Sequence, residues 1–126
     1  MPLLNNKTEN LGKGEINIVA GDEGPLVFLS GRIDMDSSPA LRDRLLNLLQ
    51  GPRPSSVTID LSAVTRIDSS GIATLIEALK IARGNHSRLT LRGLTDPLLR
   101  FFELTGLLPL FNGTSRAVNE PAQGAV

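Results

Sequence analysis

Residues 57–72 read VTIDLSAVTRIDSSGI, and this stretch decides the fold because its hydrophobic periodicity changes halfway along it. Its first five residues alternate apolar or β-branched side chains with polar ones, which predicts a β-strand over Val57–Leu61. Its end opens a second pattern, in which apolar side chains recur at helical spacing and predict an amphipathic helix over Ile72–Arg83. The apolar stripe of that helix consists of Ile72, Leu75, Ile76 and Leu79.

The junction between the two patterns, Asp68-Ser69-Ser70-Gly71, is the part of the stretch that points to a function. Asp68 or Ser69 can cap the helix, and capping is the commonest role of such residues before an apolar run. Gly71 lowers helix stability by roughly 1 kcal/mol relative to alanine, so we expect another backbone or a partner's side chain to come close to it. A serine hydroxyl beside bare backbone at a helix N-terminus suits docking and covalent modification.

The rest of the chain alternates between strand and helix patterns. Glu15–Ala20 and Leu26–Ser30 are predicted strands, and their short connection requires antiparallel pairing. A further strand is predicted at Leu89–Arg92. Two more helices are predicted. One is capped by Ser38, has Pro39 at its first position and ends at Gly51-Pro52. The other is capped by Asp96 and has Phe101 and Phe102 as apolar anchors.

This alternation predicts an α/β fold: one domain with a mixed, mainly parallel sheet of four to five strands and helices packed against it. We expect a flexible N-terminal arm at residues 1–13, the domain at residues 14–112, and a poorly structured tail at residues 113–126. Two predicted loops, residues 31–37 and 62–71, follow neighbouring strands. Because such loops share one rim of a parallel sheet, we expect Asp34 and Ser69 to lie close together.

Composition narrows the class of protein. The 126 residues suit one domain with a real core, and 13 basic residues balance 13 acidic ones, so no nucleic-acid-binding face is indicated. The chain has no cysteine, which excludes disulfides and thiolate metal sites and favours a cytoplasmic location. The first residues lack the apolar core of a signal peptide, and no apolar run reaches the roughly 20 residues of a membrane span, so we expect no direct membrane insertion.

The candidate residues do not form a recognisable catalytic motif. A catalytic serine would need a base, and the one histidine, His86, lies in a polar turn. No nucleophile elbow and no phosphate-binding glycine motif is present. Asp34, Asp36, Asp60 and Asp68 could share a cation, but they lack the spacing of a calcium loop, and capping or turn roles are the better interpretation. We therefore predict no enzyme activity, no cofactor and no metal.

Three segments together resemble one known family. The first is the strand–loop–helix start at residues 59–72. The second is Gly31-Arg32-Ile33-Asp34 with the following SSPALRDRL at residues 37–45, and the third is DPLLRFF at residues 96–102, closed by Thr105-Gly106-Leu107 and Phe111. In this order and spacing they are similar to the STAS domain family, especially the bacterial anti-sigma factor antagonists. The resemblance covers roughly residues 14–112.

The resemblance implies a phosphoprotein that regulates transcription by partner switching. The phosphorylated residue of the family is the first hydroxyl after the aspartate, which is Ser69 here, with Ser70 as the fallback. One implied partner is an anti-sigma factor serine kinase that binds its own ATP; when this chain captures the kinase, the sigma factor held by the kinase is freed. The other implied partner is a phosphatase that acts on phosphorylated Ser69. The implied partner-binding residues are Asp34, Asp36, Asp68, Ser69, Ser70 and Gly71.

Two other functions share this fold. One is a non-catalytic STAS subunit of a bacterial lipid-transport ABC system, and the other is a stress-signalling scaffold. The intact Asp68-Ser69-Ser70-Gly71 sequence favours the phosphoswitch over both. The tail departs from the family pattern, because residues 113–126 lack the amphipathic helix that commonly follows, with at most a short strand or helical turn near Ser115–Val118.

Overall fold

The computed structural model describes residues 8–50, 54–111 and 113–116 of the chain. These residues form six strands, β1 to β6, and three α-helices, α1 to α3, with a short 3-10 helix at Leu108–Leu110; β1 to β3 come first, and helices and strands alternate after them. The strands are β1 (Thr8–Asn10), β2 (Gly14–Gly21), β3 (Gly24–Ile33), β4 (Ser56–Ile67), β5 (Arg88–Leu94) and β6 (Gly113–Arg116). The helices are α1 (Ser38–Gln50), α2 (Ser69–Gly84) and α3 (Asp96–Thr105).

The sheet follows the chain from one edge to the other, in the order β1-β2-β3-β4-β5-β6. The first two pairs are antiparallel, and the pairs β3/β4, β4/β5 and β5/β6 are parallel. Each parallel pair is joined by one helix, and right-handed crossovers that advance in one direction place all three helices on one face. The core therefore lies between that face of the sheet and the helices.

The predicted α/β class is confirmed as a mixed, mainly parallel sheet with helices packed on it. Within the described part of the chain the sheet has six strands, where four to five were predicted, because two short strands extend it at its edges. One of them, β1, lies in the segment assigned to the N-terminal arm, and Leu11 beside it is only 3% exposed. Residues 8–11 are therefore part of the fold, since the sheet edge offers backbone partners that the local sequence does not reveal.

The tail also contributes to the sheet. Gly113–Arg116 pairs with β5 as β6, close to the short strand that the sequence allowed near Ser115. Three predicted features lie outside the described residues: the remainder of the arm at residues 1–7, the helix stop at Gly51-Pro52, and the tail beyond residue 116. The boundaries of the domain at residues 14 and 112 stay predictions.

The segment predicted as a loop at residues 62–71 is mostly strand. β4 continues to Ile67, far beyond the predicted end at Leu61, because β3 provides a partner along the whole length with two irregularities in register. The helix α2 then begins at Ser69, three residues earlier than the apolar stripe indicated. Only Asp68 separates the two elements, so the change from strand to helix is abrupt.

Two predicted helix caps are displaced by one residue. The amide of Leu41 donates to the carbonyl of Ser37 at 3.0 Å, which makes Ser37 the cap of α1, with Ser38 the first helical residue. Asp96 is likewise the first residue of α3, and Thr95 precedes it in extended backbone. The predictions were wrong because a cap is set by backbone geometry, and several neighbouring polar residues can satisfy the same sequence pattern.

The apolar stripes of α1 and α2 form the core as predicted, whereas only one of the two anchors predicted on α3 is buried: Phe102 is 1% exposed and Phe101 is 43% exposed. Leu75 and Leu79 of α2 are 0% and 2% exposed, and Ile76 packs at the margin of the core. A charged hydrogen bond joins the exposed side of α1 to α2: Arg42 Nε donates to Glu77 Oε1 at 2.7 Å. The other fully buried large side chains are Ile16, Leu29, Ile33, Leu41, Leu45, Leu49, Ile59, Leu61, Leu89, Leu91 and Phe102.

Replacing Leu75 with alanine should therefore create a cavity between α2 and the sheet. We expect Leu75→Ala to lower the free energy of unfolding by about 2–5 kcal/mol, measured by urea denaturation. Lys80→Ala, at an exposed position of the same helix, is the control and should change it by less than about 0.5 kcal/mol. Equal effects of the two substitutions would show that Leu75 does not support the core.

Candidate functional site

The ends of β3 and β4 lie side by side. Arg32 is in register with Arg66 and Ile33 with Ile67, so the two strands finish at the same level. The amide of Asp68 then donates to the carbonyl of Ile33 at 3.1 Å. This bond joins the loop that begins at Asp34 to the start of α2, as the parallel strand order predicted.

Asp68 caps α2 with its side chain. Its Oδ1 accepts from the amides of Ser70 at 2.9 Å and Gly71 at 3.1 Å, and from the hydroxyl of Ser70 at 2.6 Å. The Ser70 hydroxyl and then the Gly71 amide lower the pKa of Asp68 below its usual range, and the backbone amide of Met35 acts in the same direction. Asp68 is therefore an ionised carboxylate that is engaged by its own helix.

The two serines of the junction differ in their surroundings. The hydroxyl of Ser70 donates to Asp68 and lies 3.1 Å from the hydroxyl of Ser38, which is 6% exposed at the start of α1. Ser69 is exposed, and its hydroxyl forms no hydrogen bond with the described residues. Of the two candidates, Ser69 thus presents the accessible hydroxyl, while Ser70 links the two helices.

Gly71 is buried where α2 meets the strand ends. A Cβ at this position would lie 2.6 Å from Ile67 Cγ1, 2.9 Å from Ile33 Cγ2 and 3.0 Å from the carbonyl oxygen of Ile33. The close neighbours of Gly71 thus belong to this chain: they are the side chains of Ile67 and Ile33 and one backbone carbonyl oxygen. Gly71 shapes the site by letting α2 approach the sheet, and its burial leaves little of it for a partner to touch.

Asp34 organises the neighbouring loop. Its Oδ1 accepts from the amides of Asp36 at 2.9 Å and Ser37 at 3.2 Å. Burial tends to raise the pKa of Asp34, but the hydrogen bonds from Asp36 and Ser37 and the nearby guanidinium of Arg32 outweigh it, so the pKa is lowered. The loop is an Asx turn, and Asp36 is exposed on it.

Sequence reasoning missed Ser37 and Ser38 as parts of the site. Ser37 is fully buried, and its hydroxyl accepts from the amide of Asp34 at 2.8 Å and donates to the carbonyl of Arg32 at 2.9 Å. The spacing Asp-x-x-Ser directly after a strand was the available signal, because two such side chains can each bond the other's amide. The contact between Ser38 and Ser70 joins residues 32 positions apart, so no local sequence pattern could predict it.

The remaining candidates lie elsewhere. Asp60 belongs to β4 and accepts hydrogen bonds from Arg92 Nε at 2.7 Å and from the Ser62 hydroxyl at 2.6 Å. Burial tends to raise the pKa of Asp60, but these hydrogen bonds outweigh it and the pKa is lowered. His86 follows α2, so a helix of about 24 Å separates it from Ser69. Across the described ranges, no group of three or more His, Asp or Glu side chains is placed to hold a metal ion.

A groove lies beside Ser69. It has a volume of about 320 Å³ and runs between the end of β4 and the start of α3. Phe101, which is 43% exposed, forms part of its apolar wall. On the loop that begins at Asp34, the side chain of Met35 is 74% exposed. The groove is lined by Val64, Thr65, Arg66, Ile67, Asp68, Ser69, Thr95, Pro97, Leu98 and Phe101.

Among the helices of the described residues, none is long and apolar enough to cross a membrane.

Comparison with known proteins places this site in a family context. The family model described as "Mlab, STAS domain" matches residues 16–110. The anti-sigma-B factor antagonist of Listeria monocytogenes serovar 1/2a is 37% identical to this chain over 81 residues, which are 64% of this chain and 70% of that protein. The matched part of the chain contains the rim, the groove and both serines.

Solved structures agree with the sequence matches. An anti-sigma factor antagonist from Mycobacterium paratuberculosis has a TM-score of 0.67 and 28% identity, over 90% of this chain and 93% of that chain. The Bacillus cell fate determinant SpoIIAA in its phosphorylated form has a TM-score of 0.59, over 94% of this chain and 95% of that chain. At 15% identity, the second likeness shows the fold alone.

The close packing around Gly71 predicts that alanine changes the free energy of unfolding differently at two glycine positions of α2. Gly71→Ala should lower the free energy of unfolding by about 1–3 kcal/mol, because overpacking against Ile33 and Ile67 exceeds the gain in helix propensity. Gly84→Ala, where the added Cβ has no contact within 4 Å beyond the adjoining backbone of its own helix, should be neutral or slightly stabilising. Urea denaturation of both variants measures the difference, and a stabilised Gly71→Ala protein would contradict the packing.

Proposed function

The chain belongs to the STAS domain family, in its anti-sigma factor antagonist type, and from this premise we propose that it is a partner-switching antagonist. In its unphosphorylated form it binds an anti-sigma factor serine kinase and thereby frees a sigma factor. Phosphorylation at Ser69 ends the binding, and a phosphatase restores it. The chain acts by binding, within the cytoplasm, and is itself not an enzyme.

The observation that carries this proposal is the difference between the two serines. Ser69 is exposed without a hydrogen bond to the described residues, whereas the Ser70 hydroxyl is held by Asp68 at 2.6 Å. A kinase can therefore reach Ser69 without disturbing the helix cap. The γ-phosphoryl group would pass from the kinase's ATP to Ser69 Oγ, whose proton leaves to a base of the kinase, and ADP would remain on the kinase.

The position of Ser69 supports a switch that works without refolding. A phosphate adds a charge of about −1.5 to −2 at neutral pH, and the free amides and dipole of a helix N-terminus tolerate an anion. The fold should thus survive the modification. The SpoIIAA relative has been solved with its phosphate, so in that protein the same fold accommodates it.

The charge of the rim explains why a phosphate would end binding. The carboxylates of Asp34 and Asp68 are ionised at neutral pH, as aspartates ordinarily are, and their lowered pKa values are consistent with that charge. A phosphate at Ser69 would add to this negative charge, and a partner would have to desolvate it. We propose Asp34, Asp36, Asp68 and Ser69 as contacts of the kinase, with Ser70 and Gly71 holding the helix start in position.

The decisive test concerns Ser69. Incubated with ATP and the anti-sigma factor kinase encoded beside its gene, the wild-type protein should gain one phosphate, located on Ser69 by mass spectrometry. Ser69→Ala should fold and bind the kinase without being modified, because Asp68 still caps α2. Ser69→Asp should fold but bind at least about tenfold more weakly, measured by calorimetry, because the interface must desolvate the added charge.

Two outcomes would change the proposal. Phosphate found only on Ser70 would correct the residue and leave the mechanism in place. Absence of modification, together with unchanged binding of Ser69→Asp, would reject the phosphoswitch and favour a STAS subunit of a lipid-transport system or a signalling scaffold.

A second test separates recognition from turn structure at Asp34. Asp34→Asn keeps an oxygen that can accept from the amides of Asp36 and Ser37, so the thermal midpoint should change little. Loss of the charge should weaken kinase binding or slow phosphoryl transfer. A lower midpoint with normal binding and transfer would show that Asp34 serves the turn alone.

A further inference from the structure

The edge of β4 that faces β5 is only partly covered. β3 pairs with β4 from Thr58 to Ile67, but β5 pairs with β4 only from Ser56 to Asp60. Near the end of β5, Gly93 (φ 74°) still packs against Ser62, and β5 then ends at Leu94, before α3 begins at Asp96. Within the described chain, no strand pairs with this edge of β4 over Val64–Ile67, so its outward backbone amides and carbonyls face the groove.

The opposite wall of the groove is apolar. It is formed by the start of α3 through Pro97, Leu98 and Phe101. Phe101 is 43% exposed, while its neighbour Phe102 is 1% exposed in the core. A slot with backbone hydrogen-bonding groups on one wall and apolar side chains on the other fits an extended polypeptide, which bonds through its main chain and packs through alternate side chains.

The groove also carries a free cation. Arg66 lines it and is exposed, and no ion pair of Arg66 occurs among the described residues. The arginines Arg32, Arg42, Arg44 and Arg92 each have a carboxylate within 4 Å. Asp68 also lines the groove, but its carboxylate accepts three hydrogen bonds from the first turn of α2, so Arg66 is the charged group of the lining that is suited to an acidic side chain from outside the chain.

We propose that this groove receives an extended segment of the anti-sigma factor kinase, with an acidic residue opposite Arg66, which adds to β4 as a strand over Val64–Ile67. The inference rests on the proposed function. Four strand residues span about 13 Å, and Ser69 lies at the end of that span. A phosphate on Ser69 would then repel the acidic segment directly, which gives the release of the kinase a local cause.

The groove is tested by matched pairs of substitutions, with dissociation constants for the kinase measured in the absence of ATP. Phe101→Glu should weaken binding at least about tenfold, whereas Leu104→Glu, on the same helix, 81% exposed and outside the groove lining, should stay within about twofold. Arg66→Glu should weaken binding at least about fivefold, and Arg100→Glu, exposed on α3 outside the lining, should not.

Hydrogen exchange of the wild-type protein, alone and in complex with the kinase, tests strand addition independently, because it does not require that any variant folds. Those amides of Thr65–Ile67 that point away from β3 should exchange at least about tenfold more slowly in the complex, while those of the edge strand Thr8–Asn10 stay unchanged. Unchanged exchange at Thr65–Ile67, or equal effects of Phe101→Glu and Leu104→Glu in folded proteins, would overturn strand addition and leave the antagonist function intact. Failure of the wild-type protein to bind the kinase would overturn both.

Discussion

The parallel pairing of β3 with β4 up to their last residues is the constraint on which the site depends. Ile33 and Ile67 end the two strands in register, and the amide of Asp68 bonds the carbonyl of Ile33 at 3.1 Å. α2 can start directly at this point only because Gly71 has no side chain to collide with either isoleucine. The position of Ser69 on the rim follows from this packing.

The polar groups around Ser69 are largely engaged within the protein. Asp68 accepts three hydrogen bonds from the first turn of α2, and Asp34 holds the turn that leads to α1. The Ser70 hydroxyl lies between Asp68 and Ser38. These bonds hold the polar groups around Ser69 in place within the chain itself, and they leave the Ser69 hydroxyl exposed. A charge placed on Ser69 therefore alters the surface and leaves the support beneath it unchanged.

The unequal lengths of the strands give the rim its second feature. β4 has 12 residues and β5 has 7, so the longer strand projects beyond the shorter one. The chain leaves β5 for α3, and the groove remains between Phe101 and the projecting end of β4. The same projection thus carries the phosphorylation candidate and leaves backbone groups open beside it.

Local sequence patterns by themselves determined the α/β class, the apolar face of α2 and a polar cap at Asp68 or Ser69, because these depend on residues a few positions apart, and the structure assigns the cap to Asp68. Which of the two serines is free, why Gly71 is required, and where the groove lies were decided only by tertiary structure. Each depends on contacts between distant segments, such as Ser38 with Ser70 and Gly71 with Ile33. The physical reason is that hydrogen bonding and steric exclusion act through space, whereas periodicity and capping patterns report only neighbours along the chain.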